Sequence, residues 1–209
     1  MFTTDSQSFA NLSSIVVAHS EADNFAYACT EWDVTGLEVI DSQASEGEGP
    51  GRCICGHYPI VDCYTITNRL NGSVLFPVGN VCIRHFGRDD MTDDADGLLA
   101  VARVREQSAK LAPGEQLPIK PREARKGVRP LTRRAIDALY RVGALDPRDG
   151  DDLAGYSAET AHDVVHTAFN MRNPSDRLLA FAHAFVEKRA RPFLEQHAEK
   201  LAFPAASLR

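Results

Sequence analysis

Residues 52–86 read RCICGHYPIVDCYTITNRLNGSVLFPVGNVCIRHF, and this stretch decides how the N-terminal part of the chain folds. It contains four of the five cysteines and two of the seven histidines in 209 residues. Clustered thiols in a sequence with no recognisable export signal favour metal ligation over disulfides. We therefore expect a small structural zinc site built on a β-hairpin and a following helix.

The hairpin is predicted by two β-rich runs, residues 62–68 and 74–78, on either side of Asn71-Gly72. An Asn-Gly pair between alternating apolar residues is a strong signal for a tight turn. Gly79-Asn80 then ends the second strand, and a helix is expected from Cys82. An isolated hairpin is only marginally stable, so a bound metal would supply folding energy that the hairpin lacks.

Zinc in structural sites takes four thiolate or imidazole ligands in a tetrahedron. Cys53 and Cys55 form a Cys-x-Cys-Gly turn, and Cys82 follows the hairpin, so these three are the predicted thiolate ligands. The fourth ligand has three alternatives: His57, Cys63 and His85. Four protein ligands would close the coordination sphere, which favours a structural site over a hydrolytic one.

The motifs that carry a family resemblance are Glu31-Trp32, Cys53-Ile54-Cys55-Gly56-His57, the run from Tyr64 to Gly72, Val78-Gly79-Asn80-Val81-Cys82-Ile83, and Phe86. Together they resemble a zinc-ribbon or treble-clef-like segment that recurs in small proteins of bacteriophages and other mobile elements. The resemblance covers about residues 20–90. It implies a structural zinc module in a phage or mobile-element protein, and it assigns no catalytic residue.

Charge is unevenly distributed along the chain, although the net charge is only −6. Residues 1–51 carry nine acidic side chains and no Lys or Arg, whereas residues 119–141 carry eight basic side chains and two acidic ones. Solvated faces of one fold would explain this pattern, and so would a basic patch that contacts nucleic-acid phosphates. The candidate phosphate contacts are Lys120, Arg122, Arg125, Lys126, Arg129, Arg133 and Arg134.

The remaining sequence predicts further helices and a domain division. Ser20 to Trp32 has apolar residues at helical spacing, and residues 89–107, 131–145, 157–171 and 173–201 also read as helices. Residues 111–130 contain four prolines and five basic residues, which is typical of a linker or extended arm. The predicted organisation is α+β, with a zinc module over residues 1–90, a helix and basic linker over 91–129, and a helical bundle over 130–209.

One other pattern is compatible with metal chemistry. His162 and His166 stand at i and i+4, with His183 on the next predicted helix as a third candidate ligand. Against this interpretation, Asp163 stands where zinc peptidases place a glutamate base, and the two histidines flank an ordinary apolar stripe. The sequence contains no Gly-rich phosphate loop, nucleophile elbow or dinucleotide fingerprint.

We therefore interpret the chain as a non-enzymatic, zinc-containing phage or mobile-element protein that binds nucleic acid or a nucleoprotein complex. The first alternative is a protein-interaction module or inhibitor of a host factor that acts through the acidic residues 1–51. The second is a metal-dependent hydrolase or nuclease that uses His162 and His166. No run of apolar residues approaches the length of a membrane span, so no membrane partner is expected, and the expected compartment is the cytoplasm.

Overall fold

The computed structural model describes residues 4–40, 51–124, 126–197 and 200–203. It divides the chain into two compact units, Met1–Asp96 (unit 1) and Gly97–Ser207 (unit 2). Unit 1 combines helices with an antiparallel sheet, and unit 2 is mostly helical. The predicted α+β class, with a hairpin in the N-terminal part and a helical C-terminal part, is therefore confirmed. The division between the units falls within a helix, somewhat beyond the predicted boundary at residue 90.

Unit 1 is built from short elements. In chain order they are helix α1 (Thr4–Ala18), helix α2 (Phe25–Ala28), a 3₁₀ turn (Cys29–Glu31), strands β1 (Trp32–Val39), β2 (Asp62–Asn68) and β3 (Val74–Val78), helix α3 (Asn80–Arg84) and the start of helix α4 (Asp89–Ser108).

The three strands of unit 1 form an antiparallel meander with β2 in the centre. Strands β2 and β3 have the predicted bounds, and Gly72 between them takes a φ of +74°, a value that favours glycine. Strand β1 pairs with β2 along its length, with an irregularity between Val34 and Gly36. The hairpin predicted from Asn71-Gly72 is therefore confirmed.

The N-terminal region differs from the predicted helix over residues 20–32. Only Phe25–Ala28 is α-helical, and the Asn24 side chain caps it by accepting a hydrogen bond from the Tyr27 N–H. The chain before Asn24 turns because the N–H groups of Glu21 and Ala22 donate to the buried Glu31 carboxylate, at 2.9 and 2.8 Å. A side chain ten residues away thus replaces the helical hydrogen bonds that the periodicity predicted.

The core of unit 1 lies between the sheet and the helices. The fully buried apolar side chains here include Leu12, Val16, Trp32, Val34, Leu37, Tyr64, Ile66, Val78, Ile83 and Met91. The Trp32 indole donates to Ser20 Oγ at 2.8 Å, so its polar atom is satisfied inside the core.

Unit 2 contains the rest of α4 and the elements after it. They are a 3₁₀ turn (Pro121–Glu123), helices α5 (Arg133–Arg141), α6 (Ala158–Asn170) and α7 (Asp176–Phe185), a π-helical turn (Val186–Ala190), helix α8 (Arg191–Gln196) and a short strand β4 (Lys200–Ala202). Thr132, Ser157 and Ser175 cap α5, α6 and α7 with their side-chain hydroxyls, as Ser and Thr commonly do.

The segment over residues 111–130 is packed within unit 2, which differs from the predicted linker. Leu117, Ile119 and Val128 are buried, and the Leu117 N–H donates to Glu187 Oε1 at 2.8 Å. Its prolines and basic residues resemble a linker in composition, but three of its apolar residues are buried. Composition alone could not reveal this, because three buried positions in twenty carry no periodic pattern.

Candidate metal centre and basic segment

The Cys-x-Cys-Gly turn projects from a loop that closes on itself. Gly51 and Ile60 exchange two backbone hydrogen bonds of 2.8 and 2.9 Å, which bring the ends of the loop together. Inside the loop, the Gly56 N–H donates to the Cys53 carbonyl at 2.8 Å, and Gly56 has a φ of +93°. The reversal at Gly56 places both cysteines of the turn on the same side of the chain, as the sequence predicted.

Cys82 reaches the same point from the end of the hairpin. It lies in α3, directly after the extended Gly79, whose N–H donates to Cys53 Sγ at 3.2 Å. The backbone of Gly79 passes close to the turn, since a Cβ there would lie 3.2 Å from an Ile60 side-chain carbon. The Ile54 N–H also donates to the Pro77 carbonyl at 3.0 Å, which attaches the turn to β3.

These three cysteines form one cluster. The sulfur atoms of Cys53, Cys55 and Cys82 all lie within 4.8 Å of one another, and those of Cys53 and Cys82 are 3.5 Å apart. All three side chains are buried, with exposures of 2, 2 and 5 %. Among the residues that the structure describes, no other group of three or more His, Cys, Asp or Glu side chains is close enough to share a metal.

The pKa values of Cys53 and Cys82 shift in opposite directions. A hydrogen bond from Cys82 lowers the pKa of Cys53 to about 5; burial opposes this effect and the Gly79 N–H supports it. The same contact raises the pKa of Cys82, because deprotonating it would bring a second negative charge beside the Cys53 thiolate. A bound cation would further stabilise the Cys53 thiolate, which accepts a hydrogen bond from the Cys82 thiol.

The distances fit a zinc thiolate centre. With Zn–S bonds of about 2.3 Å, the sulfurs of a tetrahedral site lie about 3.8 Å apart. The cysteine cluster already has one separation of 3.5 Å and the others under 4.8 Å, so small side-chain movements would admit a metal. Three thiolates leave one coordination position for a further ligand.

The three alternatives for the fourth ligand are placed differently. Cys63 is fully buried on β2 outside the cluster, and burial, together with the charges of Glu38 and Asp62, raises its pKa to about 11. His57 and His85 are exposed, and both line the cavity of about 280 Å³ that the cluster also lines. Neither imidazole is part of the cluster itself. The structure thus brings the three predicted cysteines together and leaves the fourth position facing a cavity with two histidines.

The basic residues of unit 2 divide into exposed and buried groups. Arg122, Lys126, Arg129, Arg133 and Arg134 are exposed, and Arg125 lies outside the described residues. Lys120 is only 7 % exposed, and its ammonium group donates to the carbonyls of Phe169 and Met171 at 2.5 and 2.6 Å. Because its hydrogen bonds close the end of helix α6, Lys120 is not available for phosphate contacts, and this differs from the prediction.

The histidines predicted as an alternative metal site have other partners. His162 contacts Asp137 at 2.9 Å and stacks on His166, which contacts Asn170. His183 is buried beside Glu123, at 3.3 Å. Among the residues that the structure describes, these three imidazoles therefore do not form one ligand group.

The acidic segment over residues 1–51 is partly used inside unit 1. Glu31 is buried and accepts a hydrogen bond from Asn68 at 2.7 Å, in addition to those from Glu21 and Ala22. Asp33 pairs with Arg88 at 2.9 Å. These two carboxylates therefore stabilise the fold and are not free to contact a basic partner.

Two residues that support the cysteine cluster were not predicted from the sequence. Asn11 of α1 donates to the Cys55 carbonyl at 3.0 Å, across 44 positions in the chain, and no local pattern could have revealed this contact. Gly79 was predicted only as a strand breaker, although its N–H contacts Cys53 directly. The sequence contains one signal for this contact, which is the position of Gly79 directly before a helix that carries a cysteine.

No helix in the described part of the chain combines the length and apolar character needed to cross a membrane. No protein-family model, curated protein or solved structure matches the chain.

Proposed function

We propose that unit 1 holds one structural zinc ion on Cys53, Cys55 and Cys82, and that unit 2 binds nucleic acid through its exposed arginines. The observation that carries the metal assignment is the convergence of three buried sulfurs from two separate segments, all within 4.8 Å. Zinc is favoured over harder cations because thiolates are its preferred ligands, whereas Mg²⁺ and Ca²⁺ prefer oxygen.

The zinc ion would act as a cross-link. It would tie the Cys53–Cys55 turn to the start of α3, two segments whose sulfurs are 29 positions apart. Metal binding to such a site contributes directly to folding, because the unfolded chain offers no preformed site. His57 or His85 would complete the tetrahedron from the cavity, which agrees with a structural role. The resemblance to phage and mobile-element segments implies the same role.

Metal analysis of matched variants tests this assignment. We expect one zinc per chain in the protein purified without chelator, and loss of that zinc in Cys82→Ser. Cys63→Ser is the control, because Cys63 is equally buried but lies outside the cluster. The assignment is wrong if the wild-type protein is folded and metal-free, or if both variants retain zinc equally.

The variants His57→Ala and His85→Ala distinguish the two remaining ligands. Cobalt-substituted protein gives a visible spectrum that reports the coordination number, so replacing the true fourth ligand would change that spectrum. The other histidine variant would leave it unchanged. If neither variant changes the spectrum, a protein histidine does not complete the site.

The nucleic-acid part of the proposal is supported by the exposed basic residues between positions 122 and 134. The side chains of Arg122, Lys126 and Arg129 make no hydrogen bond or ion pair with the residues that the structure describes. Unneutralised cations concentrated in one short stretch are typical of phosphate-contacting surfaces. No exposed aromatic residues alternate with them, so contacts to the backbone are favoured over base stacking.

Salt-dependent binding to duplex DNA tests this part separately. We expect measurable affinity at low ionic strength, a steep decrease with added salt, and weaker binding by Arg133→Ala/Arg134→Ala. Absence of binding at low salt, or an affinity that the double variant leaves unchanged, would remove nucleic acid as the partner. The protein-interaction alternative would then be the leading hypothesis.

A further inference from the structure

Unit 2 contains an open groove that the sequence analysis did not identify. It runs between α4 and the segment that leads into α5, and its volume is about 570 Å³. The residues that line it are Ala100, Arg103, Val104, Glu106, Gln107 and Lys110 on α4, with Gly127, Arg129, Pro130, Thr132 and Ala135 opposite.

One hydrogen bond joins the two walls of the groove, and two others order the segment opposite α4. Gln107 Oε1 accepts a hydrogen bond from the Arg129 backbone N–H at 2.6 Å. The Leu131 N–H donates to the Pro118 carbonyl at 2.9 Å, and Thr132 caps α5 by accepting from the Ala135 N–H at 3.1 Å. The Arg129 side chain is therefore carried by a fixed backbone.

The charged side chains of the groove are predominantly basic. Arg103, Lys110 and Arg129 are exposed, and one carboxylate, Glu106, accompanies them and pairs with Lys110. Within the described residues, the guanidinium groups of Arg103 and Arg129 have no hydrogen-bond or ion-pair partner. Two unpaired guanidinium groups in one groove favour an anion with several acceptor oxygens.

The other lining residues indicate which part of a polyanion fits. None of the described residues that line the groove is aromatic, so they offer no surface on which a base could stack. Its small residues, Ala100, Gly127 and Ala135, leave room for a sugar-phosphate chain between the two arginines. Exposed Arg133 and Arg134 follow directly at the start of α5, so the basic surface continues beyond the groove.

We infer that this groove binds the phosphodiester backbone of duplex DNA, with Arg103 and Arg129 as the phosphate contacts. The inference rests on the proposed function and adds to it a defined location and a residue, Arg103, outside the basic segment. It also explains why residues 111–130 are packed: an ordered segment holds Arg129 opposite α4, which a flexible linker could not do.

Fluorescence anisotropy with a labelled duplex of about 20 base pairs, titrated at several salt concentrations, tests the inference. Each lost phosphate contact should make the slope of log affinity against log salt less negative by about 1. Loss of one charge-assisted hydrogen bond should weaken binding about tenfold. We expect these changes in Arg103→Ala and in Arg129→Ala, whose backbone N–H still reaches Gln107.

Arg177→Ala is the matched control, because Arg177 is an exposed cation that lines a different cavity in unit 2. If wild-type protein binds but Arg103→Ala and Arg129→Ala behave like Arg177→Ala, the groove is not the binding site, while nucleic-acid binding itself stands. If wild-type protein does not bind duplex DNA at all, the proposed function fails as well. Equal displacement of the duplex by charge-matched polyglutamate would also overturn the inference, since it would show a surface without preference for phosphates. Circular dichroism at the assay temperature checks folding, and Arg103→Gln replaces Arg103→Ala if the alanine variant is unfolded.

Discussion

Arg189 provides the sharpest stability prediction, because its side chain is fully buried and carries a charge. It lies in the π-helical turn and donates to Asp151 Oδ2 at 2.6 Å. It also donates to the carbonyls of Leu145, Leu153 and Tyr156, at 3.0, 2.6 and 2.9 Å. One guanidinium group therefore holds the whole connection between α5 and α6.

The substitution Arg189→Met keeps an unbranched side chain of similar length and removes every donor. It leaves the Asp151 carboxylate, whose side chain is only 2 % exposed, with the Leu153 N–H, at 2.8 Å, as its remaining hydrogen-bond donor among the described residues. Breaking a buried ion pair by removing one partner costs about 3–5 kcal/mol. The three carbonyls also lose their hydrogen-bond donor. Because the separate costs do not sum, we expect a total decrease of about 4 kcal/mol in the free energy of unfolding. That is a large part of the roughly 5–15 kcal/mol typical of a domain.

Urea unfolding followed by far-ultraviolet circular dichroism measures this decrease, because unit 2 is mostly helical. Lys188→Met is the control: Lys188 is the neighbouring residue and pairs with Asp152, but both side chains are about half exposed or more. We expect the control to lose less than about 1 kcal/mol, as surface pairs do. A further change, Asp151→Asn, in the Arg189→Met background should recover part of the loss, since it removes the unpaired charge. If Arg189→Met costs no more than Lys188→Met, the buried network does not stabilise the fold.

Two further predictions concern buried charged groups. Burial alone would raise the pKa of Glu31, but the hydrogen bonds from Asn68, Glu21 and Ala22 outweigh it, and the pKa lies below its usual 4.5. The stabilisation from Glu31 is therefore complete above about pH 4.5 and is lost as the pH falls through the lower pKa of Glu31 in the folded protein. The variant Glu31→Gln should show a smaller loss of unfolding free energy at low pH. The fluorescence of the single tryptophan, Trp32, measures this loss. In unit 2, Lys120→Met should lower the unfolding free energy by about 2 kcal/mol, since its ammonium group makes two charged hydrogen bonds to carbonyls. The same variant should bind duplex DNA as tightly as the wild type, provided that it is folded. A loss of affinity would show that Lys120 contacts phosphates.

The parts of unit 1 that could be predicted depend on local sequence. Asn71-Gly72 determines the hairpin, and the alternating residues on either side determine β2 and β3 to the residue. The convergence of the three cysteines follows from the same logic, because the local turns at Gly56 and at Asn71-Gly72 bring the two segments together. The sequence left His57, Cys63 and His85 open as a fourth ligand, and only the fold shows that Cys63 lies outside the cluster while both histidines line the adjacent cavity.

The parts that could not be predicted depend on distant side chains. Glu31 replaces a helix over residues 20–23 with a turn, and its partners lie up to 37 positions away. Lys120 was predicted as an exposed cation, although it binds carbonyls 49 and 51 positions further along the chain. Both residues are charged and buried, a combination that is rare and that sequence patterns assign to the surface.

The separation of 3.5 Å between the sulfurs of Cys53 and Cys82 also has a practical consequence for handling the protein. In the zinc-bound protein that we propose, removal of the metal would let a dissolved oxidant take two electrons from this pair, with loss of the thiol proton, and join the sulfurs as a disulfide. The oxidised pair could not bind zinc again, so chelator treatment in air would convert a reversible loss of the proposed metal into a lasting one. Preparations intended for metal reconstitution therefore need a reductant from the first step, and a thiol count of five under denaturing conditions is the simplest check that the cluster is intact.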